Sequence, residues 1–235
     1  AKGEWILCLD ADERVSLELR EEIKKIIKNW KWKAESSING YFIPRKNIIF
    51  DKWIEHTGWY PDHQLRLFKN GKGKFEEKHV HEMVKVEGKI EYLKGHILHY
   101  NYDGISQFLN KLAIYGPNEA DQLLKKGYSF DWRDAIRFPV KEFLGRFFAR
   151  EGYKDGFHGL ILSLLMAFYH LIVFSYIWEN HKFKQINDKT LLVDTEKELV
   201  QSSKELFFWF SKEKTKFIKN PVLKAFHKIL RKVKS

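Results

Sequence analysis

The stretch Trp5-Ile6-Leu7-Cys8-Leu9, followed at once by Asp10-Ala11-Asp12-Glu13, decides the fold class of this chain. Five consecutive apolar residues without polar alternation are typical of a strand that is buried on both faces, as in the parallel sheet of an α/β protein. Such a strand needs a neighbour on each side. We therefore expect an α/β fold in which the chain begins inside a larger, N-terminally truncated domain.

Downstream of this strand, the sequence predicts a helix, several short extended segments and a helical C-terminal half. Ser16 is a plausible N-cap for a helix over 16–31, whose apolar residues form one stripe. From Ser106 onward the pattern is helical. Extended segments are predicted at 41–44, 47–50, 64–68 and 97–100, and a turn at 70–73.

Two carboxylates, Asp10 and Asp12, directly follow the first predicted strand. Carboxylate oxygens suit Mg²⁺ or Mn²⁺, which can bind the phosphates of a nucleotide, and ligands of open α/β sheets bind at this end of the strands. The simpler interpretation is a solvated turn in which Asp12 or Glu13 caps the next helix. Asp-x-Asp alone is a weak motif, so these residues leave both interpretations open.

A second group of polar and aromatic residues lies between His56 and Phe68. Asp62 could accept a proton from a hydroxyl group. Gln64 and Arg66 alternate onto one face of a strand, where Arg66 could stabilise a phosphate leaving group. Trp59 could stack on a sugar ring. The alternative is an ordinary loop entering a strand, with Arg66 in a salt bridge.

Histidines form a third feature, in Lys78-His79-Val80-His81-Glu82 and at positions 96 and 99. His81 could be a further ligand of a metal or a phosphate. For His79 and His96 we favour a structural or surface role. For His81 and His99 both interpretations stay open.

Taken together, these features resemble the bacterial family 2 glycosyltransferases, which have the GT-A fold. The resemblance is strongest to the group that extends the lipopolysaccharide inner core, including glucosyltransferases that act on heptose. It covers the chain from its first residue to about residue 180. The segments that carry it are Lys2–Val15, Gly58–Phe68, Val80–Glu82, Leu98–Tyr100 and Gly152–Phe157 with the apolar helix that follows.

The resemblance implies the C-terminal half of a Rossmann-like GT-A domain, because the part that binds the nucleotide base would precede Ala1. It also implies inverting transfer of a hexose from a nucleotide-sugar donor to a lipid-linked saccharide acceptor. The implied roles are metal binding by Asp10 and Asp12, proton abstraction by Asp62, and binding of the donor diphosphate or the acceptor by Gln64, Arg66, Trp59, His56 and His81.

The C-terminal half contains an uncharged stretch, Gly156–Trp178, which as a helix would be long enough to span a bilayer. Both flanks are basic, so we favour helices that lie in the membrane interface over a single span, and a buried core helix is the soluble alternative. Residues 201–235 carry a net charge of +8, and the helix predicted from Pro221 has an apolar face. A nucleic-acid-binding arm would need no such face, so we expect an anionic membrane instead, with a partner-binding helix as the alternative.

These patterns predict three regions: a catalytic part over 1–130, a membrane-association region over 131–190 and a basic amphipathic tail over 191–235. The expected location is the cytoplasmic face of the bacterial inner membrane, with the protein peripheral or monotopic. Two alternatives remain. A haloacid-dehalogenase-type phosphatase also places Asp-x-Asp after an apolar strand, although Arg14 occupies the position where its motif has Thr or Val. The other alternative is a non-catalytic, membrane-bound interaction module.

Overall fold

A computed structural model describes residues 1–30, 37–76 and 83–225 of the chain. The chain divides into two compact units, with the boundary between Gly104 and Ile105. The three predicted regions are defined by catalysis and membrane association rather than by compactness. The division at Gly104 therefore does not test them, and they stay predictions.

The first unit is mixed α/β. Its strands and helix are β1 (Trp5–Leu7), β2 (Glu13–Val15), α1 (Leu17–Trp30), β3 (Ile38–Ile49), β4 (Lys52–Trp53), β5 (Asp62–Lys69), β6 (Gly73–Glu76), β7 (Met83–Val86), β8 (Lys89–Tyr92) and β9 (Ile97–Tyr102). The helix predicted after Ser16 is confirmed, and the Leu19 N–H donates to the Ser16 hydroxyl over 3.2 Å. The two extended segments predicted between residues 41 and 50 are parts of one long strand, β3.

Seven strands form a mixed sheet in the order β1-β5-β3-β9-β2, and both β4 and β8 also pair with β3. The first predicted strand is confirmed, but the parallel pairing predicted for it is wrong for the partner that it has here. In the described part of the chain, β1 pairs antiparallel with β5, and its three residues are half-buried. A run of five apolar residues fits either arrangement, because its side chains still pack on the core when only one neighbouring strand is present.

The core of the first unit lies between α1 and the sheet. Leu19 of α1 packs there against Tyr41 and Ile43 of β3. The start of α1 lies so close to Gly95 that a Cβ atom at this position would be 2.4 Å from the Leu19 Cα. The Glu22 carboxylate accepts the Gly95 N–H over 2.8 Å, which fixes the helix to this loop.

The segment between β1 and β2 connects the two ends of the strand order. In a flat sheet, four strand spacings would separate these ends by about 19 Å. The Glu13 N–H donates to the Asp10 carbonyl over 3.0 Å, so the connection contains a turn. With that turn, the chain from Leu7 to Glu13 reaches at most about 17 Å. The sheet therefore has to curl.

The second unit is helical, as predicted from Ser106 onward. Its elements are α2 (Ile105–Lys125), α3 (Asp134–Leu144), a π-turn (Gly145–Ala149), a 3-10 turn (Gly152–Asp155), α4 (Phe157–Asn180) and α5 (Asp188–Phe217). A core cluster of Ala120, Val173 and Ile177 joins α2 to α4. Residues 221–225 are helical, and the remainder of the predicted tail helix lies outside the described residues.

Among the helices of the described ranges, α4 alone is long and apolar enough to cross a membrane, judged by length and composition. A core helix of a soluble protein can pass the same test. The result is therefore compatible with each of the three interpretations of this stretch given above.

Candidate active site

Asp62, the predicted base, begins β5 directly opposite Arg45 of β3. The Arg45 guanidinium donates from Nε and Nη2 to Asp62 Oδ2 over 2.8 and 2.6 Å. The Gln64 side chain donates to the other carboxylate oxygen over 2.7 Å, and the Asn47 amide lies 3.3 Å from Oδ2. Both oxygens of Asp62 are therefore held in place. Loss of the hydrogen bond from Gln64 would leave the ion pair between Asp62 and Arg45 intact.

The surroundings of Asp62 keep it ionised. Burial of the carboxyl group works to raise its pKa, but the charge of Arg45 and the hydrogen bonds from Gln64, Arg45 and Asn47 outweigh burial, so the pKa is lowered from its ordinary value. At neutral pH the side chain is a carboxylate with a fixed orientation, which is the protonation state that a general base requires.

Glu13 is the centre of the polar face, and sequence reasoning did not assign it a site role. Its side chain is fully buried, and Oε1 lies 3.1 Å from Arg45 Nη1 and 3.0 Å from Arg66 Nη2. Its other oxygen accepts the Asp10 backbone N–H over 3.0 Å. The alternative in which Glu13 caps the next helix is wrong, since Ser16 provides that cap. Glu13 instead joins the two arginines to the segment that carries Asp10.

Arg66, which contacts Glu13, lies at a bulge of β5. Phe42 pairs with Leu65 and Tyr41 pairs with Leu67, which leaves Arg66 as the extra residue of β5. Gln64 and Arg66, which the sequence predicts on one face, both reach the same polar network in spite of the bulge.

The Arg66 guanidinium forms a close ion pair with the Asp10 carboxylate. Burial works to lower the pKa of Arg66, but the Glu13 and Asp10 carboxylates outweigh it and raise the pKa. Arg66 is thus part of a salt bridge, as the alternative interpretation of this segment predicts. The same contacts also bring Arg66 next to a predicted metal ligand.

Asp12 is linked to Asp62 through His99 and Asn47. His99 Nε2 lies 3.5 Å from Asp12 Oδ2, and its Nδ1 lies 2.6 Å from Asn47 Oδ1. The Asn47 amide nitrogen donates to the Trp59 carbonyl over 2.7 Å, which fixes the amide orientation, so His99 Nδ1 is the donor to Asn47. His99 therefore belongs to the polar network, whereas the sequence left its role open.

The aromatic residues of the predicted site lie at the border of this network. The Trp59 ring packs edge-on against Tyr102 with ring centroids 6.2 Å apart. The His56 carbonyl accepts the Trp59 N–H over 3.1 Å in a turn in which Thr57 has a φ of 58°. His81 lies outside the described residues.

The described residues contain no group of three His, Cys, Asp or Glu side chains placed to hold a metal ion. Asp10 and Asp12 have different partners, Arg66 and His99. A cation that bridges protein and diphosphate commonly takes only one or two carboxylates from the protein and completes its shell with phosphate oxygens and water. The oxygen donors of Asp10 and Asp12 fit that kind of site.

Comparisons with known proteins give a coarse assignment. No protein-family model matches the chain. The chain is 25% identical over 182 residues to the lipopolysaccharide core biosynthesis glycosyltransferase LpsC of Rhizobium meliloti, in an alignment that covers 77% of this chain and 66% of LpsC. It is 28% identical to an uncharacterized glycosyltransferase of Rickettsia typhi and 29% identical to one of Rickettsia prowazekii, and each alignment covers 71% of this chain and 59% of the relative.

The chain thus spans less than two thirds of the length of these curated relatives. The predicted resemblance to glycosyltransferases is confirmed, because these relatives are named as glycosyltransferases. Assignment to family 2 and to the GT-A fold stays a prediction. The chain is similar to curated glycosyltransferases, one of which is named for lipopolysaccharide core biosynthesis.

Proposed function

We propose that this chain supplies the metal-binding and acceptor-binding part of an inverting glycosyltransferase. The substrates would be a nucleotide-sugar donor and a glycolipid or lipopolysaccharide-core acceptor. The observation that carries the proposal is the polar network that connects Asp62 through Arg45, Glu13 and Arg66 to Asp10. It occurs in a chain similar to curated glycosyltransferases, which supports sugar transfer over the phosphatase alternative.

In the proposed reaction, Asp62 is the general base. The acceptor hydroxyl displaces the Gln64 amide from Oδ1, while Arg45 keeps Oδ2 in place. The hydroxyl oxygen attacks C1 of the donor sugar as its proton passes to Asp62, and the bond between C1 and the nucleoside diphosphate breaks with its electron pair on the diphosphate. One displacement inverts C1, so a single base is sufficient.

The remaining predicted residues would bind the donor and the acceptor. Asp10 and Asp12 would hold Mg²⁺ or Mn²⁺, which neutralises charge on the leaving diphosphate when it is bound. Arg66 supplies a fixed positive charge beside Asp10. Its buried Nε has no hydrogen-bond acceptor among the described residues, a cost that a ligand oxygen would relieve.

Gln64 would bind the acceptor hydroxyl after this group has displaced its amide from Asp62. We assign Trp59, His56 and His81 to the binding of the sugar and the diphosphate by the resemblance given above. A lipid-linked acceptor also requires the site to work at a membrane. We therefore place the protein at the cytoplasmic face of the bacterial inner membrane, as a peripheral or monotopic protein.

Replacement of Asp62 by Asn tests the proposed chemistry in the protein at its natural length. Asp62→Asn keeps the shape and removes the proton acceptor, so we expect kcat to fall by about 10²-fold or more with little change in donor affinity. Asp51→Asn is a matched control, because Asp51 is exposed and has a φ of 62°, which Asn tolerates. Release of nucleoside diphosphate is the assay, and near-normal turnover of Asp62→Asn would rule out this base.

A further inference from the structure

Helix α4 has two apolar faces, and only one of them packs inside the second unit. The inner face includes Leu162, Val173 and Ile177, each with no exposed surface. At its N-terminal end, Gly159 lies so close to the carbonyl of Gly152 that any side chain there would clash. The helix is thus fixed to its own unit along this face.

The opposite face of α4 is also apolar. Its exposed side chains are Phe157 (74% exposed), Leu164 (48%), Phe168 (44%), Leu171 (37%) and Trp178 (36%). Four of these five residues follow each other at intervals of seven positions, so they form one stripe along the helix. A surface helix of a soluble protein carries polar or charged residues on this face.

One polar residue of α4, Ser175, lies within the stripe, and its hydroxyl donates to the Leu171 carbonyl over 2.9 Å, so its hydrogen bond is made inside the helix. Tyr169 donates its hydroxyl to Glu119 of α2 over 2.7 Å, and His170 Nε2 lies 3.7 Å from Glu142 of α3. Ser163 is buried, and its hydroxyl donates to the Gly159 carbonyl over 2.7 Å. These side chains are therefore satisfied within the second unit.

The C-terminal end of the stripe continues into an aromatic pair with basic neighbours. The rings of Trp178 and Phe183 lie 5.1 Å apart, and Trp178 Nε1 donates to the Lys184 carbonyl over 3.0 Å. Lys182 and Phe183 have φ values of 56° and 52°, a costly conformation for residues other than glycine. This backbone holds Phe183 52% exposed between two exposed lysines.

We propose that the stripe Phe157, Leu164, Phe168, Leu171 and Trp178 is a membrane-binding face, and that α4 lies parallel to the surface of an anionic bilayer. A spanning orientation would carry Glu119 and Glu142, to which α4 is bound, into the hydrocarbon. Exposed Trp and Phe side chains with Lys neighbours are typical of helices that lie in the membrane interface.

The net charge of +8 over residues 201–235 of the same unit matches an anionic leaflet. This inference goes beyond the proposed sugar transfer. Its tests measure binding rather than activity. Loss of vesicle binding would overturn the membrane location proposed above but not the proposed chemistry, and an inactive site would leave the membrane-binding face standing.

Flotation with vesicles of equal parts phosphatidylglycerol and phosphatidylcholine tests the stripe. Leu164→Gln combined with Phe168→Gln should weaken binding at least about tenfold, and the loss should persist at high salt, because it removes apolar insertion. Leu109→Gln combined with Ile114→Gln is the matched control, since these α2 residues are 43% and 62% exposed. The control should bind like the unchanged protein.

Fluorophore depth distinguishes a flat helix from a span. Cys8 is the single native cysteine, so a Cys8→Ser background accepts one label at a chosen position. An environment-sensitive dye on Phe157→Cys, Phe168→Cys or Trp178→Cys should report similar, shallow depths. In a spanning helix, the ends lie about 31 Å apart and the middle position is the deepest.

Three results would overturn the proposal. The first is that the protein does not bind these vesicles at low salt, and the second is that the stripe variant and its control lose the same amount of vesicle binding. The third is that the dye at position 168 lies deeper in the bilayer than the dyes at 157 and 178. If the protein does not bind vesicles but self-associates or binds a protein through the stripe, the face is a protein interface. Circular dichroism of all variants confirms that each one folds.

Discussion

The first unit buries charge, whereas the second unit exposes apolar side chains. Glu13 has a fully buried carboxylate between two arginines, and Phe157 of α4 is 74% exposed beside a stripe of other apolar residues. Neither arrangement favours the folded state. Buried ions lose their hydration, and apolar surface that stays exposed contributes no hydrophobic stabilisation. Soluble proteins usually bury apolar side chains and expose charged ones. The first unit departs from this rule by burying charge, and the second unit departs from it by exposing apolar side chains.

This difference indicates where each unit acts on something else. A buried charge network fixes side chains for chemistry, and an unpartnered apolar face fits a non-aqueous surface. Local conflicts between sequence and stability are expected at functional sites. If the interpretation is right, changes in the network should alter both stability and activity, and changes in the stripe should alter membrane binding with little effect on stability.

The largest effect is expected from Asp12→Asn in the protein at its natural length. Loss of one carboxylate should lower divalent-dependent transfer by about 10²-fold or more and weaken Mn²⁺ binding measured by electron paramagnetic resonance. Asp51→Asn should change neither quantity. Unchanged Mn²⁺ binding in Asp12→Asn would remove this residue from the proposed metal site.

Glu13→Gln should destabilise the first unit by about 3 kcal/mol, since it leaves the buried guanidinium groups short of one negative charge. Glu91→Gln is the control, because Glu91 pairs with Lys89 at the surface and its side chain is 41% exposed. That pair should contribute less than about 1 kcal/mol. Urea unfolding of both variants measures the difference, and equal destabilisation would contradict a central role for Glu13.

Two leucines of α4 sharpen the comparison between its faces. Leu162→Ala should cost about 2–5 kcal/mol, because Leu162 is completely buried. Leu164→Ala should cost less than about 1 kcal/mol, because Leu164 is 48% exposed. Thermal unfolding compares them directly. A large cost at Leu164 would show that a partner within the protein covers the stripe.

The smallest effect concerns pH. Because the folded state lowers the pKa of Asp62 from its ordinary value of 3.8, its contribution to stability is complete above that value and is lost as the pH falls through the folded pKa. Asp62→Asn should therefore flatten the acid side of the stability profile below about pH 4. Urea midpoints measured across this range test the sign, and a steeper acid loss in the variant would contradict it.

Local patterns predicted those elements whose formation depends on nearby residues. Helix α1 with its Ser16 cap, the strand around Arg66 and the long apolar helix all lie where the sequence placed them. The antiparallel pairing of β1 was missed. An apolar run specifies burial, but it contains no information about the direction of its partner.

Only some residues of the polar network could be predicted from local sequence patterns. Asp10, Asp12, Asp62, Gln64 and Arg66 were selected by residue type and spacing, and the structure brings them into one network, although their roles stay predictions. Glu13, Arg45 and Asn47 were not predicted as site residues, because their contacts depend on strand register. In the sequence, 32 positions separate Glu13 from Arg45.

The short connection between β1 and β2 has a mechanical consequence. It joins both ends of the strand order through only five residues, and one of them is Asp10. We expect a single residue inserted after Ala11 to shift Asp10 relative to Glu13, because the turn between them is closed by hydrogen bonds in both directions. The length of this segment, as much as its composition, therefore holds the carboxylates and arginines within reach of one another.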